Sequence, residues 1–359
     1  MNITREQVLH ALSHVEEPDL KKDLVTLNMI QDIQINGNQL SFSVVLTTPA
    51  CPLKGLIENA CRNAISHFIS PEIEVSISMT SRVTSQRNEG LPNVKNIIAV
   101  ASGKGGVGKS TVAANLALAL QLSGAKVGLI DADIYGPSVP IMFNLEGQRP
   151  KAGQVNGKTR IEPIEQYGLK LLSIGFFTDP NQPVPWRGPM VSTAVKQLFN
   201  DADWGELDYL IVDLPPGTGD IHITVTQSFP IVGAVIVTTP QNVALADAKK
   251  GIGMFMMDAI NVPILGIVEN MSYFTPAELP ENKYYIFGQG GGQKLAKMID
   301  APFLGELPLV RSVSESGDAG KPVVLDRENP MSKAFMLIAE RVAQEVSVVN
   351  AKAPDGKSI

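Results

Sequence analysis

The chain has 359 residues, 44% hydrophobic and 18% charged, which is ordinary globular usage and excludes a disordered polymer or a fibrous repeat. Thirty Lys and Arg against 36 Asp and Glu give 30 − 36 = −6, the opposite of the balance shown by proteins that bind a phosphate backbone, so nucleic acid is not expected as a partner. Only Cys51 and Cys61 occur, too few for a disulfide scaffold. With no signal-peptide-like start and no run of about 18 apolar residues, the expectation is a cytoplasmic chain without membrane association.

At about 150 residues per domain the length predicts one large or two unequal domains. Residues 2–80 read as helix, strand, strand, helix, strand. Val8, Leu9 and Leu12 suggest the opening helix, and SFSVVLTT alternates as a half-buried strand. A second helix is expected from Pro52, with Leu53, Ile57, Cys61, Ala64, Ile65 and Phe68 along one face. EVSISM closes this small α/β unit. The stretch SRVTSQRNEGLPN is polar and non-periodic and carries Gly and Pro, as a linker would. The expected organisation is an accessory domain over 1–80, a linker over 81–95, a large domain over 96–346 and a flexible tail over 347–359.

In the large domain, apolar runs alternate with helical patterns: IIAVAS, VGLIDAD, YLIVDLP, AVIVTTP, ILGIVEN and FLGELP. Runs rich in Val and Ile between helices indicate strands buried on both faces, hence a doubly wound, mainly parallel α/β sheet. Residues 151–167 break the rhythm, and Asn156-Gly157 suits a surface hairpin turn.

The most specific pattern is Gly103-Lys104-Gly105-Gly106-Val107-Gly108-Lys109-Ser110, which fits GxxxxGK[ST] with a strand before it and a helix from Thr111 after it. Its backbone N–H groups are expected to close around phosphate oxygens, with Lys109 on the β/γ-phosphates and the Ser110 hydroxyl on Mg²⁺. Lys104 is extra to the general pattern and reads as a second cation on the phosphates. Asp131 and Asp133 close VGLID and its extension, and Asp213 closes YLIVD, at the strand ends where such sheets keep ligands. Asp131 and Asp213 are expected to approach Mg²⁺ or a metal-bound water. The loop from Pro215 to Asp220 is expected to respond to the γ-phosphate. No Asn-Lys-x-Asp run that would read guanine is present. Asn270 follows a strand at the matching place and can face adenine as donor and acceptor, so ATP is expected over GTP. Met254, Met256 and Met257 read as core fillers, and His10, His14, His67 and His222 are scattered without ligand spacing.

SGKGGVGKST resembles the deviant Walker A motif of the P-loop ATPase group that includes nitrogenase iron protein, arsenite pump ATPases, and cell-division and partition ATPases. That resemblance implies a nucleotide-sandwich homodimer whose early lysine, here Lys104, crosses to the partner, and an Asp133 that orients the attacking water. Within the group, DIYGPS from Asp133, Trp186-Arg187-Gly188-Pro189-Met190, DLPPGTGD from Asp213 and VENMS from Val268 resemble Mrp-type (ApbC-like) iron–sulfur cluster carriers. Glu17-Pro18-Asp19 and Thr48-Pro49-Ala50-Cys51-Pro52 resemble the SufT-like domain that many such carriers have at their N-terminus. The implied function is ATP hydrolysis coupled to assembly or delivery of iron–sulfur clusters to recipient apo-proteins, alongside the assembly machinery.

One departure bears on the cluster. Family members commonly place a Cys-x-x-Cys pair soon after the VENMS run, giving four thiolates across a dimer; here the segment reads SYFTPAELP and no cysteine follows Cys61. Cys51 and Cys61, ten residues apart on one expected helix, would stand about 15 Å apart at 1.5 Å per residue. Cys51, at the N-terminal end of that helix, is the candidate iron ligand, because the macrodipole there favours thiolate. Cys61 reads as a buried small hydrophobe. The competing classes are a nucleotide-gated dimeric adaptor and a positioning ATPase on membrane or nucleoid; ERVAQEVSVVNAK offers the latter neither an amphipathic basic helix nor a basic patch.

Overall fold

A computed structural model of the chain describes residues 3–85, 90–155, 157–178, 188–276, 278–279 and 281–352. It divides into two compact units, Met1–Gln86 with Ala343–Ile359, and Arg87–Val342.

In the first unit, Thr4 caps α1 (Arg5–Leu12) by accepting from the Gln7 N–H while Gln7 accepts in return from Thr4, a capping box that fixes the start of the helix. The two-residue strands β1 (Glu16–Glu17) and β2 (Lys22–Asp23) pair with each other. β3 (Ile30–Asn36) and β4 (Gln39–Leu46) are antiparallel, and β5 (Glu74–Ser81) joins β4 in parallel after the crossover helix α2 (Lys54–Phe68). β4 alternates as its sequence predicts, burying Leu40, Phe42 and Val44 against Val8, Leu12, Ile57, Cys61 and Ile65. The helix begins at Lys54, two residues later than expected, because Leu53 takes a non-helical ψ and serves as the cap. Phe68, expected in the core face, is 44% exposed and stacks on His14.

The second unit runs β6 (Val94–Ala101), α3 (Lys109–Leu122), β7 (Val127–Asp131), α4 (Val139–Met142), β8 (Lys151–Val155), β9 (Lys158–Glu162), β10 (Ile164–Gln166) and β11 (Leu169–Ser173). It continues with α5 (Gly188–Asn200), β12 (Leu207–Asp213), α6 (Asp220–Ser228), β13 (Ile231–Thr238), α7 (Asn242–Phe255) and β14 (Ile264–Glu269). The closing elements are α8 (Gly291–Met298), β15 (Phe303–Glu306), α9 (Arg311–Asp318) and α10 (Pro330–Lys352). One sheet has the order β10-β11-β7-β12-β6-β13-β14-β15, parallel throughout except for the β10–β11 pair. All residues of β7 and β13 are buried, as strands covered on both faces must be. The chain leaves β6 for β7 on one flank and later crosses from β12 to β13 on the other, so the sheet reverses its winding at the carboxyl end of β6. Such a crevice is where open α/β sheets hold ligands.

Two expectations change and one holds. β10 and β11 extend the sheet beyond the six strands read from apolar runs; β10 is a three-residue edge strand without a buried residue, and β11 is a five-residue run interrupted by Lys170. β8 and β9 pair as the expected hairpin, with Asn156 of its turn outside the described residues. α10 continues to Lys352, so residues 347–352, expected as flexible tail, are helical. Residues from Ala343 onward group with the first unit, where Val346 is buried and Asn350 Nδ2 donates to the Thr84 carbonyl at 3.1 Å. Residues 353–359 lie outside the described ones.

Candidate functional site

Residues 103–108 carry the chain from β6 into α3 and approach α7 and Asn270 closely. A Cβ on Gly103 would stand 2.1 Å from the Asp247 carbonyl carbon, so the loop rests on the backbone of α7 and only glycine fits. Gly108, the N-cap of α3, has φ +83, in the left-handed region that favours glycine. Asn270 Nδ2 donates to the Val107 carbonyl at 2.8 Å, so the residue expected to read adenine also pins the loop from the end of β14.

Lys109, the first residue of α3, is buried and points across the strand ends. Its Nζ lies 2.5 Å from Asp213 Oδ1, 3.7 Å from Asp133 Oδ2 and 3.3 Å from Ser110 Oγ. Asp213 ends β12 and is fully buried; its Oδ2 has no hydrogen-bond partner. Burial raises the Asp213 carboxyl pKa, opposed by Lys109 and Ser110. Asp133 is likewise pushed up, chiefly by burial, with Lys109 pulling it down and Asp213 pushing it further. Two carboxylates on one ammonium leave an excess of one negative charge when all are ionised, and a low-dielectric site magnifies that imbalance.

Asp131 ends β7 in register with Asp213 of β12 and Ser173 of β11. Expected as a metal contact, it is found with both oxygens occupied by protein donors. Oδ1 accepts from the Asp133 N–H, and Oδ2 from the Ser138 and Val139 N–H groups and the Ser173 hydroxyl, at 3.0 to 3.2 Å. Burial raises its pKa, with a further push from Asp213. Its hydrogen bonds hold the segment carrying Asp133 against the sheet. Lys104 is exposed, as are Gly105 and Gly106, while Ser110 and Thr111 are half-buried at the start of α3.

A cavity of about 570 Å³ opens beside these groups, lined among others by Asp133, Tyr135, Val191, Pro215, Asp220 and His222. The Pro215–Asp220 loop is tied to the phosphate-loop strand by the Gly217 N–H, which donates to the Ser102 carbonyl at 2.8 Å. Residues that sequence reasoning missed are Ser173 and Glu269. Glu269, fully buried at the end of β14, accepts from the Ser272 hydroxyl at 2.7 Å and from the Gly292 N–H, joining the VENMS segment to α8. Its signal was a carboxylate closing an apolar strand, the same signal that marked Asp131 and Asp213.

The soft-metal side chains lie elsewhere. Cys51 is half-buried three residues ahead of α2, outside the first helical turn, because the helix starts at Lys54 and not at Pro52; the macrodipole argument for its thiolate therefore loses its geometry. Cys61 is buried on the apolar face, and desolvation pushes its thiol up to about 12. Met254 is in the core, but Met256 and Met257 are 58% and 56% exposed, since α7 ends at Phe255. Trp186 and Arg187 lie outside the described residues. Among the described residues, no three His, Cys, Asp or Glu side chains converge as a metal-holding set, and no helix is long and apolar enough to cross a membrane.

A glycine-rich loop between a parallel strand and a helix, with a buried lysine paired to the strand-end aspartate, defines a P-loop NTPase domain. Sequence comparison places it further. The NUBPL iron-transfer P-loop NTPase family matches residues 93–343, and the chain belongs to that family; an iron–sulfur cluster assembly protein family matches residues 5–77. The iron–sulfur cluster carrier protein of a Synechocystis species is 48% identical over 351 residues, covering 96% of this chain and 99% of the relative. The carrier of the same name from Escherichia coli is 41% identical, covering 95% and 92%. A rice chloroplastic Fe-S cluster assembly factor is 41% identical and covers 96% of this chain but 65% of its own length. Among solved structures, an Archaeoglobus fulgidus nucleotide-binding protein in complex with ADP is 38% identical, with a TM-score of 0.56 over 65% of this chain and 89% of that one. The N-terminal SufT-like resemblance and the Mrp-type resemblance of the large domain thus both have full-length counterparts.

Proposed function

We propose that this chain binds and slowly hydrolyses ATP with Mg²⁺ as a homodimer in the cytoplasm. The cycle serves to assemble, carry or deliver iron–sulfur clusters to recipient apo-proteins. The observation that carries the nucleotide half is the unpartnered, fully buried Asp213 Oδ2 beside Lys109 and Ser110. An orphaned carboxylate oxygen costs about 1–3 kcal/mol and marks a place where a ligand completes the set. Ser110 and Asp213 are the residues that would hold Mg²⁺, directly or through water, and the cation would supply charge neutralisation at the phosphates. Lys109 then exchanges Asp213 for the β/γ-phosphates, Asp133 orients the attacking water, and Asp131 keeps Asp133 in place rather than meeting the metal directly. Val107, Gly108 and Thr111 donate backbone N–H groups to phosphate, as do Gly103, Gly105 and Gly106, and Asn270 sits at the adenine end.

The exposed Lys104 supplies its charge to the partner's nucleotide. Mixing tests this: Lys104→Ala and Asp133→Ala, each inactive alone, recover part of the turnover when combined, because one composite site regains both groups. No recovery at any mixing ratio removes the trans assignment. For the cargo, one half-buried Cys51 per chain cannot supply four thiolates, so a bound cluster draws its remaining ligands from a small thiol, other side chains or the recipient. A second reading, a nucleotide-gated adaptor without a cluster of its own, is favoured by the same shortage. Anaerobic reconstitution with iron and sulfide separates them: the carrier takes up iron in less than stoichiometric, oxygen-sensitive amounts, and the adaptor takes up none.

A further inference from the structure

His222 sits in the first turn of α6, directly after the Pro215–Gly219 loop, and is fully buried. Neither of its ring nitrogens meets a partner in full hydrogen-bond geometry. An imidazole always carries at least one N–H, so this burial leaves a donor only loosely met and an acceptor unmet, an arrangement that folded proteins rarely keep without a use. The backbone of Gly219 and Pro215, the two ends of the loop, faces the ring closely enough to favour its N–H form against burial, and the ring borders the same cavity as Asp133. Phe255 of α7 packs edge-on at 6.4 Å and prevents the ring from turning away into the core unopposed. Burial holds the imidazole neutral, with its pKa lowered to about 4, so at working pH it offers one donor and one acceptor nitrogen.

We propose that His222 is a positioning residue for ATP hydrolysis. When ATP enters, the Pro215–Gly219 loop shifts with its γ-phosphate, one ring nitrogen donates to a loop carbonyl, and the other accepts from a water in the cavity shared with Asp133. Full hydrogen bonds at both ring nitrogens thereby favour that loop position, and the water that Asp133 orients is fixed from a second side. This rests on the hydrolysis reading above.

Glutamine and methionine at position 222 have similar length, and only glutamine can both donate and accept. His222→Met is expected to fold, because an apolar group in a buried, unpaired site is tolerated. It should keep ATP affinity within about threefold and lose turnover on the order of 10- to 100-fold, the scale of a misplaced reacting group. His222→Gln should recover most of that turnover. Met turning over at the parent's rate overturns the assignment. A second measurement stands apart from variant folding: with ¹⁵N-histidine labelling, the chain gives four ring systems, and the one missing in His222→Gln reports this residue. Its ring resonances should move on adding a non-hydrolysable ATP analogue and not on adding ADP; no movement overturns the proposal. A parent chain that turns over no ATP overturns the hydrolysis reading instead, and is recognised without any variant.

Discussion

The two units bury polar groups in opposite ways. In the first, the core is apolar around Cys61, and the buried acid Glu17 spends Oε2 on the Asp19 and Leu20 N–H groups of its own turn. In the second, Lys109, Asp131, Asp133, Asp213 and Glu269 are all buried, four of them at or just beyond strand ends. Buried charges stabilise a fold poorly, since desolvation offsets most of the attraction. Concentrating them along one edge of a sheet therefore indicates a site built for a charged ligand, whereas a lone acid satisfied by its own loop indicates a structural turn.

The largest effect should come from breaking that concentration. Lys109→Ala removes both the proposed phosphate contact and the only ammonium facing Asp213 and Asp133 within 4 Å among the described residues. Phosphate release is expected to fall by about 10³-fold or more, the scale of a lost transition-state cation. Removing one partner of a buried pair typically costs about 3 to 5 kcal/mol, so the side chain is structural as well as ligand-facing. The sign with pH follows from the raised carboxyls. A carboxyl whose folded pKa exceeds its unfolded value adds stability when protonated, and that stability is lost as pH rises. The deficit in melting temperature of Lys109→Ala should therefore widen from pH 5 to pH 8. A deficit that shrinks over that range contradicts the charge reading of the strand ends.

His222 gives the next effect and reverses the sign. Its folded pKa is near 4, below the unfolded reference of 6.5, so its contribution is present above 6.5 and lost as pH falls toward 4. Two-state linkage puts the loss at about 2 kcal/mol between pH 7 and pH 5. His222→Met should flatten this acid limb of the melting curve. An unchanged limb means that the ring is reached by solvent and that the second unit's buried polar groups are less sealed than those of a core.

How far the site was legible can be judged from these residues. GxxxxGK[ST] and the apolar runs ending in aspartate gave the sheet, the loop, Lys109 and Asp213, because both patterns are local in sequence. Asp131 was read as a metal contact at its strand end, and the donors that hold it, Ser138, Val139 and Ser173, stayed hidden because they come from segments whose register no local pattern reveals. His222 looked bland for the same reason: a single histidine in a helix carries no sign of being buried and unpaired. The extra strands β10 and β11 and the helical end of α10 were hidden because short edge strands and a single apolar stripe resemble loop and tail.

Asn270 sharpens the comparison at a smaller scale. If its amide chiefly pins the Val107 carbonyl, Asn270→Ala loosens the phosphate loop and weakens ATP, ADP and GTP alike, by about 10-fold for one half-buried hydrogen bond. If it chiefly reads adenine, ATP and ADP weaken while GTP does not. Equilibrium binding of the three nucleotides distinguishes the outcomes, and the geometry favours the uniform loss.

The smallest effect tests the first unit, where the cysteines lie. Cys61 is a packing residue: it is fully buried beside Ile57 and Ile65, and its thiol is held protonated by desolvation. Thiolate is the form that binds iron. Cys61→Ala should cost about 1 kcal/mol, the scale of one buried methylene-sized group, and leave iron uptake on anaerobic reconstitution unchanged. Cys51→Ser should leave the melting temperature nearly unchanged and lower the iron bound per chain. Half-buried Cys51 is reachable where Cys61 is not, so the two substitutions should separate stability from iron cleanly. Iron lost equally in both variants would place the metal in the apolar core, against the burial of Cys61. Iron retained in both would move the cargo's ligands off this unit altogether and favour the nucleotide-gated adaptor.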